Sequence, residues 1–138
     1  MTTLRRSLWL ALIGLLPGCE ACMDAYNARG LSADLPRVVA PTGVTLTGLS
    51  CRMVSGTRTG YCIGEVAPGA AEQVRAGLAM TPAAPSNQRP HPDGCRAQDG
   101  FEAAPTFYRA LTGTGYVYTS LHIGQAGRIC MELEYGYG

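Results

Sequence analysis

The sequence predicts a small α+β domain in which two β-hairpins form an antiparallel sheet against one helix, with disulfides as braces. Two pairs of short β-like runs are each joined by a glycine-containing turn, and one amphipathic segment lies between the pairs. Six cysteines occur in 138 residues, which is a high density unless the protein resides in an oxidising compartment. The length suits one domain rather than two.

The first predicted hairpin joins residues 44–53 to residues 60–66 through a turn at Gly56 and Thr57. A turn centred there places Cys51 opposite Cys62, within reach of a disulfide. Closing so short a loop stabilises a fold by about 3 kcal/mol on the chain-entropy model. We therefore favour a disulfide between these two cysteines.

A helix is predicted over residues 68–80. Pro68 suits the first turn, while Val74 and Leu78 lie one above the other on one helix face. Pro82 ends the segment. The apolar face of this helix is expected to pack on the sheet.

A polar stretch punctuated by prolines follows at residues 81–100. Loops of this length in a compact domain are functional or disordered. As a functional loop it would supply contacts to a partner, with His91 and Asp93 as candidates. For residues 101–111 the sequence leaves helix and strand open.

The second predicted hairpin joins residues 116–123 to residues 128–135 through the segment Gly124-Gln125-Ala126-Gly127. If Gly124 pairs with Gly127, the face expected to meet the helix holds Tyr116, Tyr118, Ser120, His122, Ile129, Met131, Leu133 and Tyr135. The opposite face then carries Val117, Thr119, Leu121, Cys130, Glu132 and Glu134.

Beyond Cys19, five cysteines allow fifteen arrangements of two disulfides and one thiol. Besides Cys51 and Cys62, we expect Cys130 to reach Cys95 and hold the end of the loop, with a contribution of about 4 kcal/mol. Cys22 is then the free thiol, available for an interchain disulfide.

The sequence matches the residue patterns of catalytic and metal-binding sites only weakly. We therefore predict that the protein binds no metal or cofactor and is not an enzyme. His91, Asp93 and Cys95 superficially resemble a ligand cluster, but Pro-Asp-Gly is a turn signature and Cys95 is assigned to a disulfide. His122 has no carboxylate at an assignable spacing. Glu132 and Glu134 share a strand face, and we interpret them as a solvated surface rather than a carboxylate pair.

The N-terminal segment combines Arg5 and Arg6, an apolar run at residues 8–16 and the ending Leu16-Pro17-Gly18-Cys19. This pattern resembles the signal peptide and lipobox of bacterial lipoprotein precursors, although Pro17 departs from the usual residue types. The resemblance implies that residues 1–18 are a signal peptide and that Cys19 is lipidated. It implies a protein anchored in the cell envelope, with Glu20 favouring an outer membrane where one exists. The alternative is an ordinary signal peptide cut near Gly18, which would release a soluble secreted protein.

Residues 19–42 lack a sustained apolar period and contain Asn27, Gly30, Pro36 and Pro41. We interpret them as a lipid-anchored tether, which if flexible would hold the domain about 25 Å from the bilayer. The single domain then covers residues 43–138.

Without Arg5 and Arg6, nine arginines face ten acidic residues, a net charge of −1 that excludes a typical nucleic-acid binder. We therefore predict a lipid-anchored envelope module that binds another protein without catalysis, as an accessory subunit, inhibitor or immunity-type factor. Its contacts would come from the loop at 81–100 and from Tyr137. The alternative is a glycan or peptidoglycan binder that stacks sugars on surface tyrosines, with Tyr118 and Tyr137 as candidates.

Overall fold

A computed structural model describes residues 18–82, 90–101, 107–110 and 115–136. It contains two α-helices, two short 3-10 turns and five strands. In chain order these are α1 (Gly18–Val39), a 3-10 turn (Ala40–Thr42), β1 (Thr47–Met53), β2 (Thr59–Glu65), α2 (Ala70–Gly77), a 3-10 turn (Cys95–Ala97), β3 (Phe107–Ala110), β4 (Tyr116–Ile123) and β5 (Arg128–Tyr135).

The five strands form one sheet in the order β1-β2-β5-β4-β3, with every neighbouring pair antiparallel. The two predicted hairpins are β1–β2 and β4–β5, and they join where β2 pairs with β5. The predicted α+β class with two disulfides is confirmed. The segment that the sequence left open contributes β3, a short strand beside β4.

One face of the sheet is covered by the two helices and forms the apolar core. The helices and sheet contribute to one buried cluster, whose most enclosed members include Leu31, Leu35, Val39, Val74, Leu121, Met131 and Leu133. The helix predicted at residues 68–80 is confirmed as α2, and Val74 and Leu78 bury its apolar face as expected.

The structure differs from the prediction over residues 19–42. The predicted tether is helix α1, and its second half belongs to the domain rather than to a spacer. Leu31, Leu35 and Val39 recur every four residues, and none is more than 1% exposed. The helix continues through Pro36, which lies on an exposed side. The folded domain therefore begins within α1 and not at residue 43.

The predicted register of the last hairpin is wrong by one residue. His122 pairs with Cys130 and Ser120 with Glu132, because three residues rather than two form the turn after Gly124. Ala126 adopts φ 55° and Gly127 φ 77° to close this turn. The shift moves Tyr118, Ser120 and His122 away from the helices. Tyr116 stays opposite Tyr135 on the helix side because the strand is irregular between Tyr116 and Tyr118.

Both favoured disulfides are present. Cys51 bonds to Cys62 directly across β1 and β2, and Cys95 bonds to Cys130. Cys22 is a free, exposed thiol. Two disulfides fit an exported protein. Among the described helices, none has the length and apolarity needed to cross a membrane.

Candidate functional site

The second face of the sheet is polar and is covered by a loop instead of a helix. We call residues 90–101 the capping loop. The buried residues of this face include Tyr118, Ser120 and His122 of β4 and Cys130 and Glu132 of β5, none more than 1% exposed. The capping loop contacts the face at Cys130 and Glu132. This is an unusual face for a small sheet, because buried polar groups are costly unless they find partners.

Glu132 is the point at which the capping loop meets the sheet. Its Oε2 accepts a hydrogen bond from the backbone N–H of His91 at 2.9 Å, and its Oε1 accepts one from the N–H of Cys95 at 3.3 Å. Gly94 lies between these donors, and a Cβ there would collide with Glu132 Oε1. The segment His91-Pro92-Asp93-Gly94-Cys95 therefore wraps a carboxylate with its backbone.

Two opposing effects act on the Glu132 carboxyl group. Burial raises its pKa above the ordinary value, since a low-dielectric site disfavours the charged form. The N–H donors of His91 and Cys95 and the positive charge of Arg96 lower it, but burial is the largest effect. The carboxyl group is thus held where its ionisation costs free energy.

The capping loop has further constraints along its length. The Cys95–Cys130 disulfide ties it covalently to β5. His91 accepts the N–H of Gly94 on its carbonyl oxygen at 3.1 Å and the N–H of Asp93 on its Nδ1 at 3.1 Å. These contacts brace the loop at residues 91–97.

The solvent-exposed surface of the capping loop is charged. Pro92, Asp93, Arg96, Ala97 and Asp99 are exposed. The loop therefore exposes negatively and positively charged side chains on a backbone that is bonded to β5 through Glu132 and Cys130.

The predicted contact residues have different positions. Asp93 is exposed and His91 is half-buried, and the structure places both on the capping loop. Tyr137 lies outside the described residues, as does the side chain of Cys19. Tyr118 is only 1% exposed, so it does not offer its ring to a glycan.

Ser120, His122 and Glu132 lie on one face, which the predicted register had separated. Ser120 Oγ is 3.4 Å from His122 Nε2, and Ser120 pairs across the strands with Glu132. The three residue types match a hydrolytic triad, but a nucleophile must reach its substrate. Ser120 and His122 are 0% exposed, so neither side chain is accessible in this structure.

Two of the three residues that superficially resemble a metal-ligand cluster, His91, Asp93 and Cys95, make other contacts in the structure. Cys95 is committed to a disulfide, and His91 Nδ1 already accepts a hydrogen bond. Within the described part of the chain, no group of three or more His, Cys, Asp or Glu side chains is arranged to hold a metal ion.

A second surface lies between α1 and the end of β5. It is a cavity of about 490 Å³ lined by Tyr26, Asn27, Arg29, Gly30, Asp34 and Tyr135. The α1 residues of this cavity lie in the segment predicted to be a tether, so they are not among the predicted site residues. The four-residue spacing of Leu31, Leu35 and Val39 is the sequence signal that indicates this helix. Once the helix is recognised, the residues of its other side become candidates for a site.

Comparisons of the chain with protein-family models, with curated proteins and with solved structures find no match. The case for function therefore rests on the two surfaces described above.

Proposed function

We propose that this protein is a lipid-anchored envelope protein that binds another protein through its capping loop, without catalysis. The observation that carries the proposal is the burial of Glu132 beneath that loop. Glu132 and the Cys95–Cys130 disulfide hold the loop in one conformation, although burying a carboxyl group is unfavourable.

A fixed loop suits recognition because binding then costs little conformational entropy. Ordering a free loop on association subtracts from the affinity, and a loop already ordered avoids that loss. Exposed Asp93, Arg96 and Asp99 supply charges that select a complementary surface. We therefore expect the partner to be a protein whose contact surface carries both positive and negative charges.

The proposed anchor is a lipid on Cys19, and α1 changes how it would hold the domain. Cys19 is the second residue of α1, and the first fully buried side chain of that helix is Leu31. The helix already contacts the sheet before Leu31, since the Tyr135 hydroxyl donates to the backbone oxygen of Asn27. The lipid would then be joined to the domain through helix α1 and not through a flexible tether.

Partner binding is tested by capturing tagged, full-length protein from detergent-solubilised native envelopes and identifying bound proteins by mass spectrometry. The decisive comparison is between Asp93→Arg, on the exposed capping loop, and Glu72→Arg, on α2 at the opposite face of the sheet. Glu72 forms an exposed ion pair with Arg75, so its loss should disturb the fold little. A stoichiometric partner lost from Asp93→Arg and kept by Glu72→Arg supports the proposal. No partner, or equal loss from both variants, contradicts it.

The anchor is tested separately with two neighbouring cysteines. Intact-mass analysis should show a lipid on the wild-type protein and no lipid on Cys19→Ala. Cys22→Ala is the matched control, because it removes an exposed thiol three residues away and should keep the lipid. An unmodified wild-type Cys19 contradicts lipidation.

Glycan binding is the second candidate, and one observation favours it. Tyr26 is 72% exposed beside a cavity that also contains Tyr135, so an aromatic ring is available at a concave surface. This candidate uses a different surface from the capping loop.

A further inference from the structure

A stripe of three residues along α1 forms one wall of the cavity beside β5. Tyr26, Gly30 and Asp34 are spaced four residues apart and therefore lie on the same side of the helix. Gly30 leaves a notch between the exposed ring of Tyr26 and the carboxylate of Asp34. Tyr135 faces this notch from β5 and lines the same cavity.

The fold itself does not require a glycine at position 30. A Cβ there would lie 3.4 Å from the Tyr135 hydroxyl, which is an ordinary contact. Alanine would also favour the helix by about 1 kcal/mol. Glycine lets the Tyr135 hydroxyl lie against the helix at this position, and Tyr26 and Asp34 line the cavity beside that contact.

The wall opposite the notch is held in place by hydrogen bonds. The Tyr135 hydroxyl donates to the backbone oxygen of Asn27 at 3.0 Å, and the Tyr116 hydroxyl donates to Asp34 Oδ2 at 2.6 Å. The rings of Tyr116 and Tyr135 pack with their centroids 4.7 Å apart. Burial and the bond to Asp34 raise the pKa of Tyr116, so the phenol remains a donor. These bonds fix the carboxylate and one aromatic wall before any ligand arrives.

We infer that this cavity binds a pyranose ring of a neutral glycan. A sugar offers an apolar C–H face, which suits the ring of Tyr26, and hydroxyl groups that both donate and accept hydrogen bonds. Asp34 accepts such bonds, while the Arg29 guanidinium donates them. The cavity, at about 490 Å³, falls in the range of roughly 300–1,000 Å³ that is usual for small-molecule sites.

The two opposite charges disfavour a ligand that carries a single charge. Asp34 would repel an anion, and Arg29 would repel a cation. A neutral, polyhydroxylated ring can use both groups at once. The inference rests on the second candidate function and names the residues and ligand class for it, independently of the capping loop.

The test is calorimetric titration of full-length protein in detergent with two neutral trisaccharides, one built from N-acetylglucosamine and one from glucose. Tyr26→Ala should weaken binding about tenfold through the loss of stacking. Gly30→Leu should abolish binding by filling the notch, whereas Gly30→Ala should retain it. Met23→Ala is the matched surface control, since Met23 is 57% exposed on the same helix but does not line this cavity.

Saturable binding of either trisaccharide that follows this order of variants supports the inference. Binding of the N-acetylated probe alone would assign the site to amino-sugar glycans, and binding of the glucose probe to other neutral polysaccharides. No saturable binding of either probe, or binding unaffected by Tyr26→Ala and Gly30→Leu, overturns it. Asp93→Arg should leave the titration unchanged, so this result is separable from failure of the protein-binding proposal.

Discussion

The two faces of the sheet are covered in different ways. On one face, α1 and α2 bury aliphatic side chains such as Leu31, Leu35 and Leu133. On the other, a loop of irregular backbone bonds to Glu132, on the same face as the buried Ser120 and His122. Apolar packing is nondirectional and proportional to the buried area, whereas hydrogen bonds and a disulfide require particular positions.

The difference indicates what each face is for. The helix-covered face supplies stability, and its side chains tolerate exchange for others of similar volume. The loop-covered face stabilises the backbone conformation of the capping loop, although this requires the burial of the Glu132 carboxyl group. We expect substitutions on the first face to change the free energy of unfolding globally. Substitutions on the second face should in addition release the capping loop locally.

The largest expected effect is the loss of the disulfide between the loop and β5. Cys95→Ala combined with Cys130→Ala should lower the free energy of unfolding by about 4 kcal/mol, since the cross-link constrains a long stretch of the unfolded chain. The pair Cys51→Ala and Cys62→Ala should cost about 3 kcal/mol, because it closes a shorter loop. Urea unfolding measures both, with Cys22→Ala as the control. Equal stability of the Cys95/Cys130 variant and the wild type would contradict this role.

On the helix-covered face, Leu133→Ala should lower the free energy of unfolding by about 3 kcal/mol, because Leu133 is 0% exposed and its truncation leaves a cavity. Amide exchange should accelerate across the whole sheet. The control is Met23→Ala, which removes an exposed side chain and should change stability little. A loss confined to the capping loop would argue against the division between the faces.

Beneath the capping loop, Glu132→Gln should cost about 2 kcal/mol. An amide group offers one oxygen where the carboxylate offers two, so one of the N–H groups of His91 and Cys95 loses its acceptor. Glu134→Gln, at a half-buried position on the same strand face, is the matched control. If the two substitutions destabilise the protein equally in urea, the Glu132 contacts are not what secures the loop.

The smallest effect is a pH dependence that belongs to Glu132. Its pKa in the folded protein is raised, so the folded state binds the proton more tightly than the unfolded state does. The contribution of this group to stability is fully present below the ordinary value of about 4.5 and declines as pH rises through the raised folded pKa. The stability difference between wild type and Glu132→Gln, measured by urea unfolding across this window, should therefore fall with increasing pH. A difference that rises instead would mean that the two N–H donors outweigh burial.

Local patterns predicted the strands well, whereas features that depend on a single turn or on tertiary packing were missed. The strand bounds of the last hairpin and the pairing of Cys51 with Cys62 follow from alternation and turn residues, and both are confirmed. The register failed because Ala126 takes a left-handed conformation that is rare for a residue with a side chain. Helix α1 was missed because Gly30 and Pro36 lower helix propensity, while packing of Leu31 and its neighbours overrides that preference.

The candidate sites illustrate the same limit. His91 and Asp93 were identified from their place in a long polar loop, but the role of Glu132 depended on the register and could not be derived without it. The cavity near Tyr26 required α1 to be a helix. Both sites arise from contacts between segments far apart in the sequence, such as the bond between His91 and Glu132.

Hydrogen exchange of the backbone amides distinguishes a fixed capping loop from a mobile one. The amides of His91 and Cys95 should exchange as slowly as those of β5, because Glu132 accepts both. The amide of Asp93, whose bond to His91 Nδ1 is exposed, should exchange faster and provides the internal reference. Rapid exchange of all three amides would show that the loop is not fixed and that it does not form a preorganised binding surface.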